Sequence, residues 1–303
     1  MSFYVQFLGT GSALPTVNHH PTSQYIFCQN RHFLIDCGEG TQIQLRKRSV
    51  KIQKLDAIFI SHLHGDHYFG LVGLLSSMHL LGREKSIDIY GPPPLEQLVR
   101  MQIELGGASL DYTIHFHVIE DAFEGLLFED KVIEIKTFKL KHKIPTHGFT
   151  FREKEKPRSL LAEKFKASGL SLTQIPDLKA GKDVIDENGN VHSFKLYTTK
   201  PKRSGSYAFC SDTAYNESML PFLENIDVLY HEATFSKKDE DRAKATKHST
   251  AENAAQIAKL AKVTKLYFGH LSARYNDAEV HLAEAKNIFE NSFEAIEGDV
   301  VKL

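Results

Sequence analysis

Short apolar segments that end in polar turns recur along this chain of 303 residues. Such segments, some with alternating apolar and polar positions, predict β-strands at residues 56–60, 132–140, 206–210, 226–231 and 266–269. The alanine-rich segment Ala251 to Ala261 instead predicts an α-helix, and Ser249 and Glu252 have the spacing of an N-terminal capping box. The alternation of predicted strands and helices indicates an α/β fold.

One segment interrupts this pattern and predicts an insertion. From Arg152 to Arg203 the chain becomes strongly charged, and the strand pattern resumes only afterwards. Within the segment, Ser159 to Ser168 has a helical composition, and the Asn-Gly pair in Asp186 to Asn190 predicts a hairpin. We therefore expect one domain over residues 1–303 with an inserted arm at about 152–204.

The densest group of candidate ligands directly follows the first of these predicted strands. Residues 61–67 read Ser-His-Leu-His-Gly-Asp-His, so His62, His64, Asp66 and His67 lie within six positions. Imidazole and carboxylate groups suit zinc, and four of them this close together can hold two ions. A polar, His-rich surface turn is the alternative, but the density of ligands favours a metal site.

Single residues of the same ligand types follow three further predicted strands. These residues are His142, Asp212 and His270. Each one alone would be read as an ordinary loop residue. Because loops at strand ends form the ligand sites of layered α/β folds, the repeated arrangement favours one shared site.

Together these segments resemble the metallo-β-lactamase superfamily and, within it, the ribonuclease Z family. The resemblance covers almost the whole chain and includes Phe7–Ser12, Asp36–Gln42, the metal motif, His142 with Gly148 and Phe149, Ser211–Thr213, His231–Phe235, His248–Thr250 and His270–Tyr275. The metal motif alone is typical of the superfamily. The segments HEATF, HST and HLSARY are far more specific for the family.

The resemblance implies a four-layer αββα sandwich that carries two zinc ions per chain. By similarity, one ion is held by His62, His64 and His142, the other by Asp66, His67 and His270, and both by a bridging Asp212. Two metals in such a pair can activate a shared water and stabilise both oxygens of an in-line displacement. This chemistry suits the hydrolysis of phosphodiesters.

The resemblance also implies roles in catalysis and substrate binding. Asp66 would orient the nucleophile, Glu232 would hold His248, and His248 would protonate the departing ribose oxygen. Arg274 would bind a substrate phosphate. As alternatives, His248 is an exposed residue before a helix, Glu232 pairs with a surface lysine, and Arg274 is an ordinary surface arginine.

The function expected from this resemblance is zinc-dependent removal of the 3′ trailer from precursor transfer RNA. The family also implies a homodimer whose arms grip the RNA. A related hydrolase of small phosphodiesters or sulfate esters is the main alternative. A metal-dependent RNA-binding protein without turnover is a further alternative. A thioesterase or β-lactamase would leave Glu232 and His248 without a role.

Composition agrees with this picture. The chain has 37 Lys and Arg against 38 Asp and Glu, which argues against a polycationic coat. No segment approaches the ~18 apolar residues of a membrane span, and the start lacks a signal-peptide pattern. Three cysteines with no close pair argue against a disulfide framework. We expect a cytoplasmic protein that does not associate with membranes.

Overall fold

Two seven-stranded β-sheets form the centre of the computed structural model, which describes residues 3–107 and 109–303. The first sheet consists of β1 (Phe3–Gly9), β2 (Ser23–Cys28), β3 (Arg31–Ile35), β4 (Ala57–Phe59), β5 (Ile87–Gly91), β6 (Ile114–Val118) and β18 (Val300–Lys302). Its strand order is β18-β1-β2-β3-β4-β5-β6. Strands β3 to β6 run parallel, so their carboxyl ends lie at one edge.

The second sheet is built in a similar way. It consists of β7 (Gly125–Glu129), β8 (Ile133–Leu140), β9 (Thr146–Glu153), β14 (Ser206–Cys210), β15 (Val228–Glu232), β16 (Lys265–Gly269) and β17 (Ser292–Glu294). Its strand order is β17-β16-β15-β14-β9-β8-β7. Strands β14 to β17 run parallel, which again brings their carboxyl ends to one edge.

The two sheets pack face to face through an apolar core. Because side chains alternate along a strand, Val5 and Phe7 of β1 enter this core while the adjacent Leu8 packs on the opposite face. Phe59 of the first sheet lies 5.6 Å from Phe149 and 5.5 Å from Phe151 of the second, measured between ring centroids. Interlocked aromatic rings thus hold the sheets together.

Helices cover the outer faces of both sheets. Outside residues 153–205 the helices are α1 (Thr41–Lys47), α2 (Gly65–Tyr68), α3 (Leu71–Leu80), α4 (Leu95–Leu105), α8 (Leu220–Leu223), α9 (Glu240–Thr246), α10 (Ala251–Leu260) and α11 (Glu279–Ile288). Side chains of α1, α3 and α4 pack on the first sheet, and those of α10 and α11 pack on the second. The predicted αββα sandwich is therefore confirmed. Within residues 3–107 and 109–303, none of the helices combines the length and apolar character of a membrane crossing.

The predicted cap of helix α10 is wrong by one residue. Thr250 is the N-cap: its Oγ1 accepts a hydrogen bond from the Asn253 amide at 3.2 Å, and Asn253 Oδ1 accepts one from the Thr250 amide at 3.1 Å. Ser249 instead donates its hydroxyl to the carbonyl oxygen of Thr213 at 2.6 Å. The capping-box spacing is thus present one residue later, while Ser249 tethers the loop before the helix.

Residues Glu153–Gly205 form a compact unit of their own, and the remainder of the described chain forms the other. This smaller unit contains β10 (Ser159–Leu160), α5 (Ala162–Lys166), α6 (Ile175–Lys179), β11 (Val184–Ile185), β12 (Val191–His192), α7 (Phe194–Tyr197) and β13 (Thr198–Thr199). It has its own apolar core, in which Phe165, Leu178 and Tyr197 are buried.

Within the smaller unit, one of the two elements predicted from the sequence is confirmed and the other is shorter than predicted. The predicted hairpin is confirmed, since β11 and β12 pair and Asp186 Oδ1 accepts hydrogen bonds from the Asn188 and Asn190 amides at 2.9 Å each. The predicted helix is shorter than expected because Ser159 pairs with Thr199 in a two-stranded sheet. The role of this unit as an RNA-gripping arm stays a prediction.

Candidate metal centre

Ligand-type side chains from both sheets meet at one place. The motif of residues 61–67 follows β4 in the first sheet, whereas His142, Asp212 and His270 follow β8, β14 and β16 in the second. The structure brings all seven predicted ligands together in two clusters. Within each cluster, the potential ligand atoms lie within 4.8 Å of one another.

The first cluster contains three imidazoles and one carboxylate oxygen. His64 Nδ1 lies 3.0 Å from His62 Nε2 and 3.3 Å from His142 Nε2. Asp212 Oδ2 lies 3.6 Å from the same two Nε2 atoms. Four donor atoms therefore surround one point.

The second cluster shares Asp212 with the first. Its other oxygen, Oδ1, lies 3.2 Å from His67 Nε2 and 3.1 Å from His270 Nε2. Asp66 Oδ2 completes the group at 3.3 Å from His67 Nε2 and 3.4 Å from His270 Nε2. The two Asp212 oxygens thus face different clusters, which is the arrangement a bridging ligand requires.

These separations fit tetrahedral coordination. Ligand atoms at a Zn–N distance of about 2.0 Å stand roughly 3.3 Å apart in a tetrahedron, and the observed separations are close to that value. His67 Nε2 is buried and has no hydrogen-bond partner within the described ranges. Burial also lowers the pKa of His62 and of His142, which favours the neutral imidazole that binds metals. The residues present therefore fit a pair of divalent ions.

Buried partners fix the orientation of two of the four ligands that follow β4, namely His62 and His67. His67 Nδ1 donates to Asp36 Oδ2 at 2.6 Å. The Ser61 hydroxyl donates to the same oxygen at 2.8 Å and accepts from His62 Nδ1 at 3.0 Å. Such contacts select the ring tautomer and raise ligand basicity.

The ligands from the second sheet are supported in the same way. His142 Nδ1 donates to the Lys247 carbonyl at 3.0 Å, and Lys247 Nζ donates to the His142 carbonyl at 3.2 Å. His270 Nδ1 donates to Thr234 Oγ1 at 3.0 Å, while the Thr234 hydroxyl donates to Glu232 Oε2 at 2.6 Å. Each of these imidazoles consequently presents its Nε2 atom to the centre.

Three residues of the centre have a left-handed backbone. Asp36, Asp212 and His270 each follow a strand and have φ values of 54°, 52° and 59°. A residue held in this region costs on the order of 1 to 3 kcal/mol and is found mainly where the surroundings impose it. Asp and His tolerate it better than most residues.

Beside the clusters, Glu232 and His248 form a hydrogen-bonded pair. His248 Nδ1 lies 2.7 Å from Glu232 Oε1, which also accepts from the Thr213 amide at 2.8 Å. Burial would lower the pKa of His248, but the Glu232 carboxylate outweighs it and raises that pKa to about 9. Burial would raise the pKa of Glu232, yet His248 lowers it to about 2. The pair is therefore a carboxylate and an imidazolium.

The clusters and this pair open onto a common cavity of about 350 Å³. His64, Asp66, Asp212 and His248 line it, and the Ala13 amide in its wall donates to Asp66 Oδ2 at 2.9 Å. A substrate in this cavity can reach both ligand clusters and His248. We name it the metal cavity.

The structure places Arg274 outside the lining of the metal cavity. Its guanidinium lies over the Phe235 ring, 5.1 Å from the centroid, and Nε donates to Ser272 Oγ at 3.0 Å. About a third of the side chain is exposed, with a value of 33%. Its role in phosphate binding stays a prediction.

Several residues that support the centre have no role predicted from the sequence. Asp36 could have been found, because it follows β3 as Asp212 follows β14. Thr234, Lys247 and Ala13 contribute a hydroxyl or a backbone group, and no sequence pattern marks such contacts.

An αββα sandwich with two ligand clusters that share one carboxylate defines a metal-dependent hydrolase of the metallo-β-lactamase fold. A Bacillus subtilis protein with this fold superimposes with a TM-score of 0.70 at 20% identity, covering 99% of each chain. That similarity concerns the fold. Sequence similarity then defines the family.

A family model described as anti-Pycsar protein Apyc1 matches residues 3–287. The ribonuclease Z of Parabacteroides distasonis is 41% identical over 296 residues, which cover 98% of this chain and 97% of that one. The crystal structure of the short form of human tRNase Z superimposes with a TM-score of 0.73 at 27% identity, covering 99% of this chain and 98% of that chain. This chain belongs to the ribonuclease Z family, the endoribonucleases of transfer RNA 3′ processing.

Proposed function

We propose that this chain removes the 3′ trailer of precursor transfer RNA with two zinc ions bound in the metal cavity. The ligand atoms support this choice of metal, because imidazole nitrogen and carboxylate oxygen in four-atom groups suit zinc. The two ions would be held by His62, His64 and His142, by Asp66, His67 and His270, and by Asp212 between them. When bound, such a pair supplies Lewis-acid stabilisation of phosphate oxygens and lowers the pKa of water.

Asp66 is the residue that orients the attacking nucleophile. Its side chain lines the metal cavity, and the Ala13 amide fixes Oδ2 at 2.9 Å. Because Oδ2 also faces His67 and His270, the carboxylate is held in one direction. A fixed acceptor can direct the attack along one line without reorganisation.

His248 is the general acid, and this assignment carries the proposal. Its Nδ1 is occupied by Glu232, so Nε2 is left for the substrate. Glu232 keeps the imidazole protonated, and the proton passes from Nε2 to the departing ribose oxygen. A ribose alkoxide is a strong base and needs this proton, so the pair serves a substrate with a poor leaving group such as RNA.

The charge distribution supports RNA as the substrate. The segment 153–205 holds eleven Lys and Arg against seven Asp and Glu, a net charge of +4, although the whole chain has a net charge of −1. Lys164 in this segment is exposed, as a residue that contacts phosphate must be. We assign this segment the role of the RNA-gripping arm and Arg274 a further phosphate contact. A homodimer in the cytoplasm is the proposed state, in keeping with the family.

The test is to offer purified protein a precursor transfer RNA with a 3′ trailer and to map the cut. We expect cleavage at the trailer boundary and two zinc ions per chain by elemental analysis. Cleavage of nitrophenyl phosphodiesters without any cut in the precursor would instead support the hydrolase of small phosphodiesters. RNA binding without a cut in a single-turnover assay would support a binding protein.

A further inference from the structure

A second cavity, of about 220 Å³, adjoins the metal cavity. Ser12 lines both cavities, and the Ser12 amide donates to the Leu271 carbonyl at 3.2 Å. His270 lines the metal cavity, and the next two residues along the chain, Leu271 and Ser272, line the second one. The two cavities therefore share a wall in which Gly11 and Ser12 pair with Leu271. A nucleotide whose phosphate is at the metals can reach both.

Several polar side chains line the second cavity. Asn18, His19, Asn276 and Glu294 are in its wall, and their side chains make no hydrogen bond with any residue in 3–107 or 109–303. Burial raises the pKa of Glu294, and its favourable interaction with the nearby His19 does not offset this loss of water. A ligand with N–H groups would supply a hydrogen-bond donor.

Tyr275 contributes an aromatic ring to the wall of the cavity. The Tyr275 hydroxyl donates to Asp239 and accepts from the Ser236 amide at 3.2 Å. The edge of the buried His281 ring supports Tyr275 from behind, with 4.5 Å between ring centroids and planes at 85°. A planar surface beside free hydrogen-bonding groups is the combination by which proteins bind unstacked RNA bases.

We propose that this second cavity, the base pocket, binds one nucleobase of the RNA next to the scissile phosphate. The base stacks against Tyr275, and Glu294 accepts a hydrogen bond from its exocyclic amino group. Adenine, cytosine and guanine carry such a group. Uracil has no exocyclic amino group: its N3–H donor lies between two carbonyl oxygens, which the Glu294 carboxylate repels. This proposal rests on the proposed function, since it names the base that the RNA-cleaving site prefers.

The test compares precursor transfer RNAs that differ only in the nucleotide on either side of the cut. At one of these two positions, kcat/KM of the unaltered protein should be about tenfold or more lower with uracil than with an amino-bearing base, as expected for one hydrogen bond to a charged group. Glu294→Gln should reduce that preference to about threefold or less. The matched control Glu290→Gln alters an exposed carboxylate outside the pocket and should keep the full preference.

Metal content and the melting temperature establish that each variant is folded. If Glu294→Gln does not fold, Asn276→Ala, which alters an exposed residue at the same pocket, should lower kcat/KM for the favoured bases by several-fold. Equal cleavage of all four bases at both positions, or an unchanged preference in Glu294→Gln, would overturn the base pocket alone. Failure of the unaltered protein to cut any precursor would instead overturn the proposed function.

Discussion

Replacing His248 by alanine separates proton donation from every other part of the centre. The imidazole is not one of the seven ligands assigned to the two metal clusters, although a ring nitrogen lies within 4.8 Å of ligand atoms of Asp212 and His270. Glu232 holds it at 2.7 Å through Nδ1. General acid catalysis is typically worth ~10² to 10⁴ in rate, which corresponds to roughly 3 to 5 kcal/mol of transition-state stabilisation. We expect His248→Ala to slow cleavage of precursor transfer RNA by at least ~10².

The same variant should lose far less activity on a nitrophenyl phosphodiester. A nitrophenolate leaves without protonation, so removal of the acid leaves its barrier nearly unchanged. The measurement is kcat/KM on both substrates, with single-turnover rates to isolate the chemical step. His115→Ala, which removes an exposed imidazole from the edge strand β6, serves as the control and should change neither value.

A double substitution tests whether Glu232 acts through His248. If it does, Glu232→Gln should slow RNA cleavage strongly in the otherwise unaltered protein but add little to His248→Ala. Equal losses of activity on both substrates in His248→Ala would refute the assignment of His248 as the general acid. Such a result would mean that His248 positions substrate or supports structure.

Three further perturbations address the metals and the RNA grip. Asp212→Ala should remove most of the second metal equivalent together with activity, because the two carboxylate oxygens of Asp212 face different clusters. Elemental analysis measures the metal content of the variant. Two tightly held ions with near-normal turnover would contradict this prediction. Asp36→Asn should weaken the affinity for one ion by ~10- to 100-fold, measured by chelator competition, because it alters the partner of His67; unchanged affinity would exclude that role. Replacing residues 154–202 by a Gly/Ser linker should preserve metal content and the hydrolysis of small phosphodiesters. The variant should bind precursor transfer RNA more weakly, and this binding should depend less on salt concentration. Unchanged RNA cleavage would reject the arm as a binding element.

The sequence predicted the fold and the candidate ligands for one physical reason. Strands buried on both faces appear as continuous apolar runs, and a polar ligand at the end of such a run stands out. Strands β4, β14 and β16 follow this rule, whereas β8 alternates apolar and polar positions. His142, Asp212 and His270 were found because each follows one of these segments. The predicted N-cap of α10 was one residue too early because two capping-box pairs overlap, Ser249 with Glu252 and Thr250 with Asn253. Tertiary contacts determine which pair forms.

Contacts made by backbone groups could not be predicted in this way. The Ala13 amide, the Lys247 carbonyl and the Thr234 hydroxyl each orient a ligand, yet any residue can supply a backbone group and threonine is common. Their role depends on where loops distant in sequence come to lie. The base pocket was missed for the same reason, since Glu294 and Asn18 are separated by most of the chain.

Asp36, Asp212 and His270 combine a left-handed backbone with a side chain that the metal centre uses. Asp36 ends a strand of the first sheet, whereas Asp212 and His270 end strands of the second, so the chain must turn sharply at each point for the side chain to face the centre. β-branched residues would make this backbone far more costly, whereas aspartate and histidine tolerate it. Glycine would relax the backbone but remove the ligand or its partner. At these three positions, the side chain that tolerates the left-handed backbone is also the one that the metal chemistry requires. Because the two sheets supply different ligands, the centre also depends on the packing of the sheets against each other.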